Sequence, residues 1–358
     1  MSIKKIAEQV GVSPSTVSRV LGNPNYHCSS EELRDKIWKA AIAMNYTPNQ
    51  AARNLRLKKE NDEEKTYYIN ILMTRMDFQQ TDPFFSELLR VVESEIHKYS
   101  CILTKIWYEP FFSNDRKCCG IKAKETVEKL YAETDGKNDG LIIIGKCSSD
   151  ALDCWTKRYK NIVSINRNST NYQVDEVLCD GKKIASIAVE HLVSLGHKEI
   201  GYVGQCHKDA RYKGFLSTLQ KYNLDVNPHW VIEAEAMETA GYEAMERFEK
   251  MEEQPTAIYC ANDIIAVGLL KFMKKGRRRF YTPSVIASDD IEAAQNCSPM
   301  LTTVSLPKDE MGKFALFLLV DRMKGGHKVV TRLELEGKLM LRNSCTVLQD
   351  SNWSDYCI

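Results

Sequence analysis

The stretch Ile6-Ala7-Glu8-Gln9-Val10-Gly11-Val12-Ser13-Pro14-Ser15-Thr16-Val17-Ser18-Arg19-Val20-Leu21 decides how the first part of the chain folds. With Ile3, the apolar residues Ile6, Ala7 and Val10 follow the i, i+3, i+4, i+7 spacing of a helix with one buried face. Gly11 supplies the left-handed residue that ends such a helix. Ser13 suits the cap of the next helix and Pro14 its first turn, with Val17, Val20 and Leu21 facing inward. Two short helices around a tight glycine-containing turn make a helix-turn-helix. A third helix is expected from a capping box, Ser29-x-x-Glu32, burying Leu33, Ile37, Ala41 and Met44. The outer face of helix two carries Ser15, Thr16, Ser18 and Arg19. These are short hydrogen-bonding side chains and one guanidinium, the chemistry that reads base edges in a major groove. A merely solvated helix face would not require small polar residues with positive charge clustered nearby.

Charge supports that reading. The chain has 358 residues and a net charge of only +1. Residues 1–60 nevertheless hold ten Lys/Arg against five Asp/Glu, giving +5 and leaving −4 for the rest. A basic head on a mildly acidic body points to a polyanion as partner of the head alone. The length calls for two or three domains. No apolar h-region follows the first charges and no apolar run is long enough for a bilayer, so the expectation is a cytoplasmic protein without membrane contact. The 12 cysteines include no Cys-x-x-Cys spacing and read as reduced, mostly buried thiols; neither a metal nor a redox motif is expected.

Beyond the third helix, Thr47-Pro48 opens a short helical stretch through Asn49, Ala52 and Leu55, too short to be stable alone. The charged run Lys58 to Lys65 reads as a linker. Ile6-Ala7-Glu8-x-x-Gly11-Val12-Ser13-x-x-Thr16-Val17-Ser18-Arg19-Val20-Leu21 and Tyr46-x-Pro48-Asn49-x-x-Ala52-Arg53-x-Leu55-Arg56 resemble the lactose-repressor (LacI/GalR) family. The resemblance implies that the short stretch is a hinge helix, with Asn49, Ala52 and Leu55 in the minor groove and Leu55 as the wedge at a central base step. It also places Pro14, Ser15 and Arg19 at base-reading positions of the recognition helix. Its implied partner is a pseudo-palindromic double-stranded operator bound by a homodimer.

From residue 66 the pattern becomes strand–helix alternation. Ten strand candidates run from Tyr68–Met73 to Thr303–Leu306, mostly separated by helical stretches, which argues for parallel βαβ sheets in two lobes with a cleft. Leu333 to Cys345 is expected as a closing hairpin. The resemblance continues through Val177-x-x-Asp180-Gly181, His191-Leu192-x-x-Leu195-Gly196-His197-x-x-Ile200-Gly201-Tyr202-Val203-Gly204, Cys260-Ala261-Asn262-Asp263 and Ser288-Asp289-Asp290. It implies a periplasmic-binding-protein-like sensor with crossovers near 166–170, 292–298 and 325–330, and effector contacts from Asn166, Arg211, Asn262 and Asp289. Arginine donates in a planar fork, aspartate accepts and asparagine does both, a set suited to the vicinal hydroxyls of a sugar. Asp263 and Asp290 are expected as structural caps. Stretches 137–146 and 338–344 resemble repressors of β-galactosidase genes, pointing to a galactoside.

Two motifs are set aside. Gly140 to Cys147 fits a Gly-x4-Gly-Lys pattern, but its middle is a buried strand and cysteine replaces the Mg²⁺-holding Ser/Thr. His191 and His197 lack a third ligand. No catalytic constellation and no cofactor are expected. The expected organisation is a helix-turn-helix domain at 1–46, a hinge and linker at 47–65, a two-lobed effector-binding and dimerisation domain at 66–347, and a tail at 348–358. The function expected is effector-controlled repression of carbohydrate-utilisation genes. A free solute-binding protein, or a regulator sensing a non-sugar such as a nucleobase, are the alternatives.

Overall fold

A computed structural model describes residues 3–22, 30–44, 66–75, 82–113, 118, 120–275 and 281–348. Asn49, Ala52, Leu55, the linker to Lys65 and the tail beyond Leu348 lie outside the described residues. Contacts divide the chain into two units, 1–65 and 66–358.

The small unit contains α1 (Ile3–Val10), α2 (Pro14–Gly22) and α3 (Glu31–Ala43). Gly11 takes φ +74°, and both its N–H and that of Val12 donate to the Ala7 carbonyl, ending α1 as expected of a left-handed residue. Ser13 Oγ accepts from Thr16 N at 3.1 Å and so caps α2. Ile6, Ala7, Val17, Val20, Leu21, Ile37, Ala40 and Ala41 make one buried core. Each large aliphatic here contributes about 1.5–3 kcal/mol by leaving water. The third helix is capped one residue later than expected: Ser30 Oγ accepts from Leu33 N at 3.2 Å. A capping hydroxyl reaches the amide three residues on, and it is Ser30 that stands three before the first free amide of α3.

The large unit holds two six-stranded sheets. The first lobe contains β1 (Tyr67–Met73), β2 (Cys101–Tyr108), β3 (Gly140–Ile144), β4 (Ile162–Asn166), β5 (Asp175–Leu178) and β11 (Arg332–Glu334), in the order β11-β5-β4-β3-β1-β2. All five pairings are parallel. Helices α4 (Pro83–Ile96) and α12 (Lys308–Met323) pack against one another, and α5 (Gly120–Ala132) against α6 (Ser149–Thr156). The second lobe contains β6 (Ile200–Gly204), β7 (Val231–Glu233), β8 (Ala257–Cys260), β9 (Ser284–Asp289), β10 (Thr302–Ser305) and β12 (Lys338–Met340), ordered β12-β10-β9-β8-β6-β7. Only the β10–β12 pairing is antiparallel. There α7 (Gly181–Ser194) packs on α8 (Ala210–Lys221), and α9 (Glu238–Glu249) on α10 (Asp263–Lys275). The short α11 (Glu292–Asn296) precedes β10.

Sheet membership moves all three crossovers from their expected places. The chain stays in the first lobe past residue 170, because Asp175–Leu178 pairs with β4; it crosses at 179–180. The strand expected at Val177–Cys179 starts two residues earlier, at Asp175, and ends at Leu178. In the fold, Asp175 accepts from Thr331 N at 2.7 Å, His327 Nε2 at 2.8 Å and Arg322, and Glu176 accepts from Thr170 N at 2.7 Å. Partnered carboxylates can be buried; unpartnered ones cannot. The second crossover lies at 306–307, after β10 rather than at α11, since α12 packs on the first lobe. The third lies at 335–337. The expected hairpin does not form: β11 joins β5 in one sheet and β12 joins β10 in the other.

Candidate effector site and DNA-reading face

On α2, Pro14, Ser15 and Arg19 are exposed, while Thr16 and Ser18 are half-buried. Ser15 Oγ and Thr16 Oγ1 sit 2.7 and 2.9 Å from Ser13 Oγ, so in the free head both hydroxyls serve the cap. Reading a base with either one requires that it leave this cluster. Arg19 carries the only guanidinium on that exposed face.

In the large unit, the C-terminal ends of β1, β4, β6, β8 and β9 bring together charged groups that are far apart in sequence, where open α/β sheets present side chains to ligands. From the first lobe come Arg75, two residues past β1, Asp82, the N-cap of α4, and Arg167, just past β4. From the second come Gln205, Asp209, Arg211 and Asp289. Arg211 is fully engaged. Its Nε and Nη2 donate to the Asp209 carboxylate at 3.1 and 3.0 Å, and its Nη1 donates to Ala261 O at 2.7 Å. Burial raises the Asp209 carboxyl, but the Arg211 guanidinium overrides it and holds the group well below the usual carboxylate range.

Arg167 is placed differently. Its guanidinium lies 4.2 Å over the Phe84 ring and 5.2 Å from Phe85, a cation–π arrangement, and its Nη2 is 3.1 Å from Asp289 Oδ1. Yet Arg167 Nε and Nη2 and Asp289 Oδ1 are buried without a hydrogen-bond partner. Burial pushes the Asp289 carboxyl up to about 8, although the Arg167 charge opposes it. Asp82 is also raised by burial. Arg75 Nη1 crosses between lobes to donate to Gln205 Oε1 at 2.9 Å, and burial lowers its guanidinium to about 10, still charged at neutral pH.

Of the residues expected from sequence, Arg211 and Asp289 lie within this cluster; Asn166 and Asn262 border it with their oxygens already used. Asn166 Oδ1 accepts from Arg167 N at 2.7 Å, and Asn262 Oδ1 caps α10 through Ile265 N at 3.3 Å. Asp263 does not cap its own helix. It is buried, raised by burial to about 6, and accepts from Ile291 N at 3.0 Å and Thr303 Oγ1 at 2.5 Å. Asp290 accepts from Arg342 Nη2 at 2.6 Å, an ion pair rather than a cap. Arg75, Asp82, Phe84, Arg167 and Asp209 were missed by sequence reasoning. The signal available was position: each follows a parallel strand at its carboxyl end. His197 bonds Thr256 Oγ1 and Thr346 O, both at 3.0 Å, a structural role. Among the described residues no group of His, Cys, Asp and Glu could hold a metal ion, and no helix is long and apolar enough to cross a membrane.

A helix-turn-helix head and a two-sheet body with a polar cluster at its strand ends define a DNA-binding regulator with an effector-binding domain. Residues 2–49 match bacterial regulatory proteins of the lacI family, and residues 189–345 match a periplasmic binding protein-like domain. The HTH-type transcriptional repressor PurR of Mannheimia succiniciproducens is 30% identical over 354 residues, covering 96% of this chain and 98% of that protein. The Ribose operon repressor of Haemophilus influenzae is 29% identical over 350 residues, covering 96% and 98%. A LacI family transcriptional regulator from Enterococcus faecium, solved with bound ribose, superposes with a TM-score of 0.64 at 25% identity, covering 80% of this chain and 100% of that one. The Lac repressor bound to ONPG shares the fold, with a TM-score of 0.64 at 22% identity over 96% of this chain and 99% of that one. The chain belongs to the LacI family.

Proposed function

We propose that this regulator is a homodimeric repressor acting in the cytoplasm, without catalytic activity, whose operator affinity is set by a small carbohydrate bound between the lobes. The supporting observation is the Arg167–Asp289 pair. Two groups able to form strong charge-assisted hydrogen bonds are buried 3.1 Å apart with polar atoms unsatisfied. Such atoms cost free energy until something completes them. Adjacent ligand hydroxyls are a fitting complement: a carboxyl oxygen of Asp289 accepts from one and the guanidinium donates to its neighbour. Asn166 and Asn262 keep their amide NH₂ groups as donors, and Arg211 steadies the second-lobe wall.

A pentose or small hexose fits this set. The ribose bound in the enterococcal relative and the Haemophilus repressor named for ribose favour a pentose over the galactoside suggested by sequence. A nucleobase is the second reading, since the relatives include repressors named PurR. A nucleobase, with fewer adjacent hydroxyl-like groups, would leave the Arg167–Asp289 polar atoms less completely matched. A thermal-shift and calorimetric panel of D-ribose, other pentoses, galactosides and purine bases decides among them. Binding of D-ribose or another free sugar supports the reading, and binding of purines alone rejects it. In this account Asn49, Ala52 and Leu55 enter the minor groove of the operator, Pro14, Ser15, Thr16, Ser18 and Arg19 face the major groove, and the effector shifts the lobes between two arrangements of unequal operator affinity.

A further inference from the structure

The last two residues of the β9 turn are unusual in their backbone. Asp289 has φ +130° and Asp290 φ +52°, both in the region that side-chain-bearing residues rarely adopt. Consecutive residues held there need the surrounding structure to hold them. Arg342 holds one side of the turn through the Asp290 carboxylate at 2.6 Å. The other side is held by Lys308, the first residue of α12, immediately after the second crossover. Its Nζ donates to Asp290 O at 3.0 Å and lies 3.5 Å from Asp289 O.

The same ammonium group reaches the first lobe. Lys308 Nζ is 2.5 Å from Glu87 Oε2 on α4, and it lies 5.9 Å from the centroid of the Phe84 ring, which Arg167 covers at 4.2 Å. One cation therefore touches the backbone that aims the Asp289 carboxylate, a carboxylate of the opposite lobe, and the ring beneath the carboxylate's own guanidinium partner. No other described side chain is hydrogen-bonded to the 289–290 carbonyls.

We propose that Lys308 is the positioning residue of the effector site: it sets the direction of the Asp289 carboxylate through the turn backbone and ties that turn to Glu87 across the lobe boundary. This rests on the reading of Arg167 and Asp289 as effector contacts. It goes beyond that reading by assigning aim and lobe coupling to a residue that need not touch the effector. A compact ammonium with three donors suits this role, because it can serve two carbonyls and a carboxylate at once.

The test uses the full-length protein with Lys308→Met, Lys308→Arg, Glu87→Gln and Asp289→Asn. Without any ligand, hydrogen exchange at the Ile291 amide, which donates to Asp263 Oδ2, should be about tenfold faster in Lys308→Met than in wild type, the loss of one charged hydrogen bond. Lys308→Arg should restore part of that protection. With D-ribose as probe, Lys308→Met should weaken binding by about tenfold, whereas Glu87→Gln should leave binding nearly unchanged and blunt the operator response. Wild-type exchange at Ile291 in a folded Lys308→Met protein overturns the proposal whether or not D-ribose binds. If Asp289→Asn abolishes ribose binding and Lys308→Met does not, the role of Lys308 alone is rejected. If neither variant alters the affinity of a protein that binds ribose, the effector-site reading falls with it.

Discussion

The Arg167 guanidinium stands 3.1 Å from the Asp289 carboxylate, one from each lobe, without completing a hydrogen bond. Burial keeps Asp289 up near 8 in spite of that neighbour. A carboxyl whose folded pKa lies above its unfolded value of about 3.9 stabilises the fold fully below that value, and the contribution is lost as pH rises toward the folded pKa. Asparagine imitates the protonated acid at every pH. The unfolding midpoint of wild type minus that of Asp289→Asn should therefore fall as effector-free samples are taken from about pH 5 to about pH 8. A difference that grows over this range would mean that Arg167 holds the carboxylate ionised.

His327 titrates with comparable consequences elsewhere. Burial lowers its pKa, but hydrogen bonds to Asp321 at 2.6 Å and Asp175 at 2.8 Å outweigh that and raise it overall. The imidazolium thus stabilises the junction of α12 and β11 fully below about pH 6.5, and the benefit is lost as pH rises through the raised folded pKa. Denaturation midpoints of wild type and His327→Gln should converge with rising pH. Divergence above neutrality would show that neutral histidine is the form the fold prefers.

Helices α9 and α10 touch backbone to backbone. A methyl at Gly241 would stand 1.9 Å from Ile265 O, and one at Gly268 would stand 2.0 Å from Glu238 O. Gly241→Ala should lower unfolding free energy by about 1–3 kcal/mol or more, through overpacking. Gly325→Ala meets no neighbouring atom and serves as comparison, its cost arising only from φ +78°. Chemical denaturation of both variants checks the claim; equal losses would remove the steric argument.

Much of this architecture is legible in the chain because apolar periodicity is local. The i, i+3, i+4 pattern of Ile3, Ile6, Ala7 and Val10 needs no distant partner, and neither does the all-apolar run Leu141–Ile144. The burial of Asp175 in β5 was unreadable for the opposite reason. Its partners, Arg322, His327 and Thr331, lie some 150 positions away, at separations of 147 to 156. The site divides in the same manner. Arg211 and Asp289 stand in recognisable motifs, whereas Arg75 and Arg167 acquire meaning only once β1 and β4 end beside β6 and β9.

On the head, Arg19 is exposed on α2 and free to enter a groove. Arg19→Ala should cost about 1–3 kcal/mol of discrimination at one operator position while changing the others little. Binding measured against single-base operator variants tests this. A uniform loss across all variants would reduce Arg19 to a phosphate contact.

A ligand held by Arg167 and Asp289, against the wall that Arg211 braces through Asp209 and Ala261, governs a separate DNA-binding head. Operator titration by mobility shift, with and without the sugar found by calorimetry, tests it most directly in wild type and Arg211→Ala. Wild-type operator affinity should change by about tenfold or more with effector, a coupling of about 1.4 kcal/mol. Arg211→Ala should bind operator normally and ignore the effector. An Arg211→Ala protein that still responds at the wild-type effector concentration would contradict it.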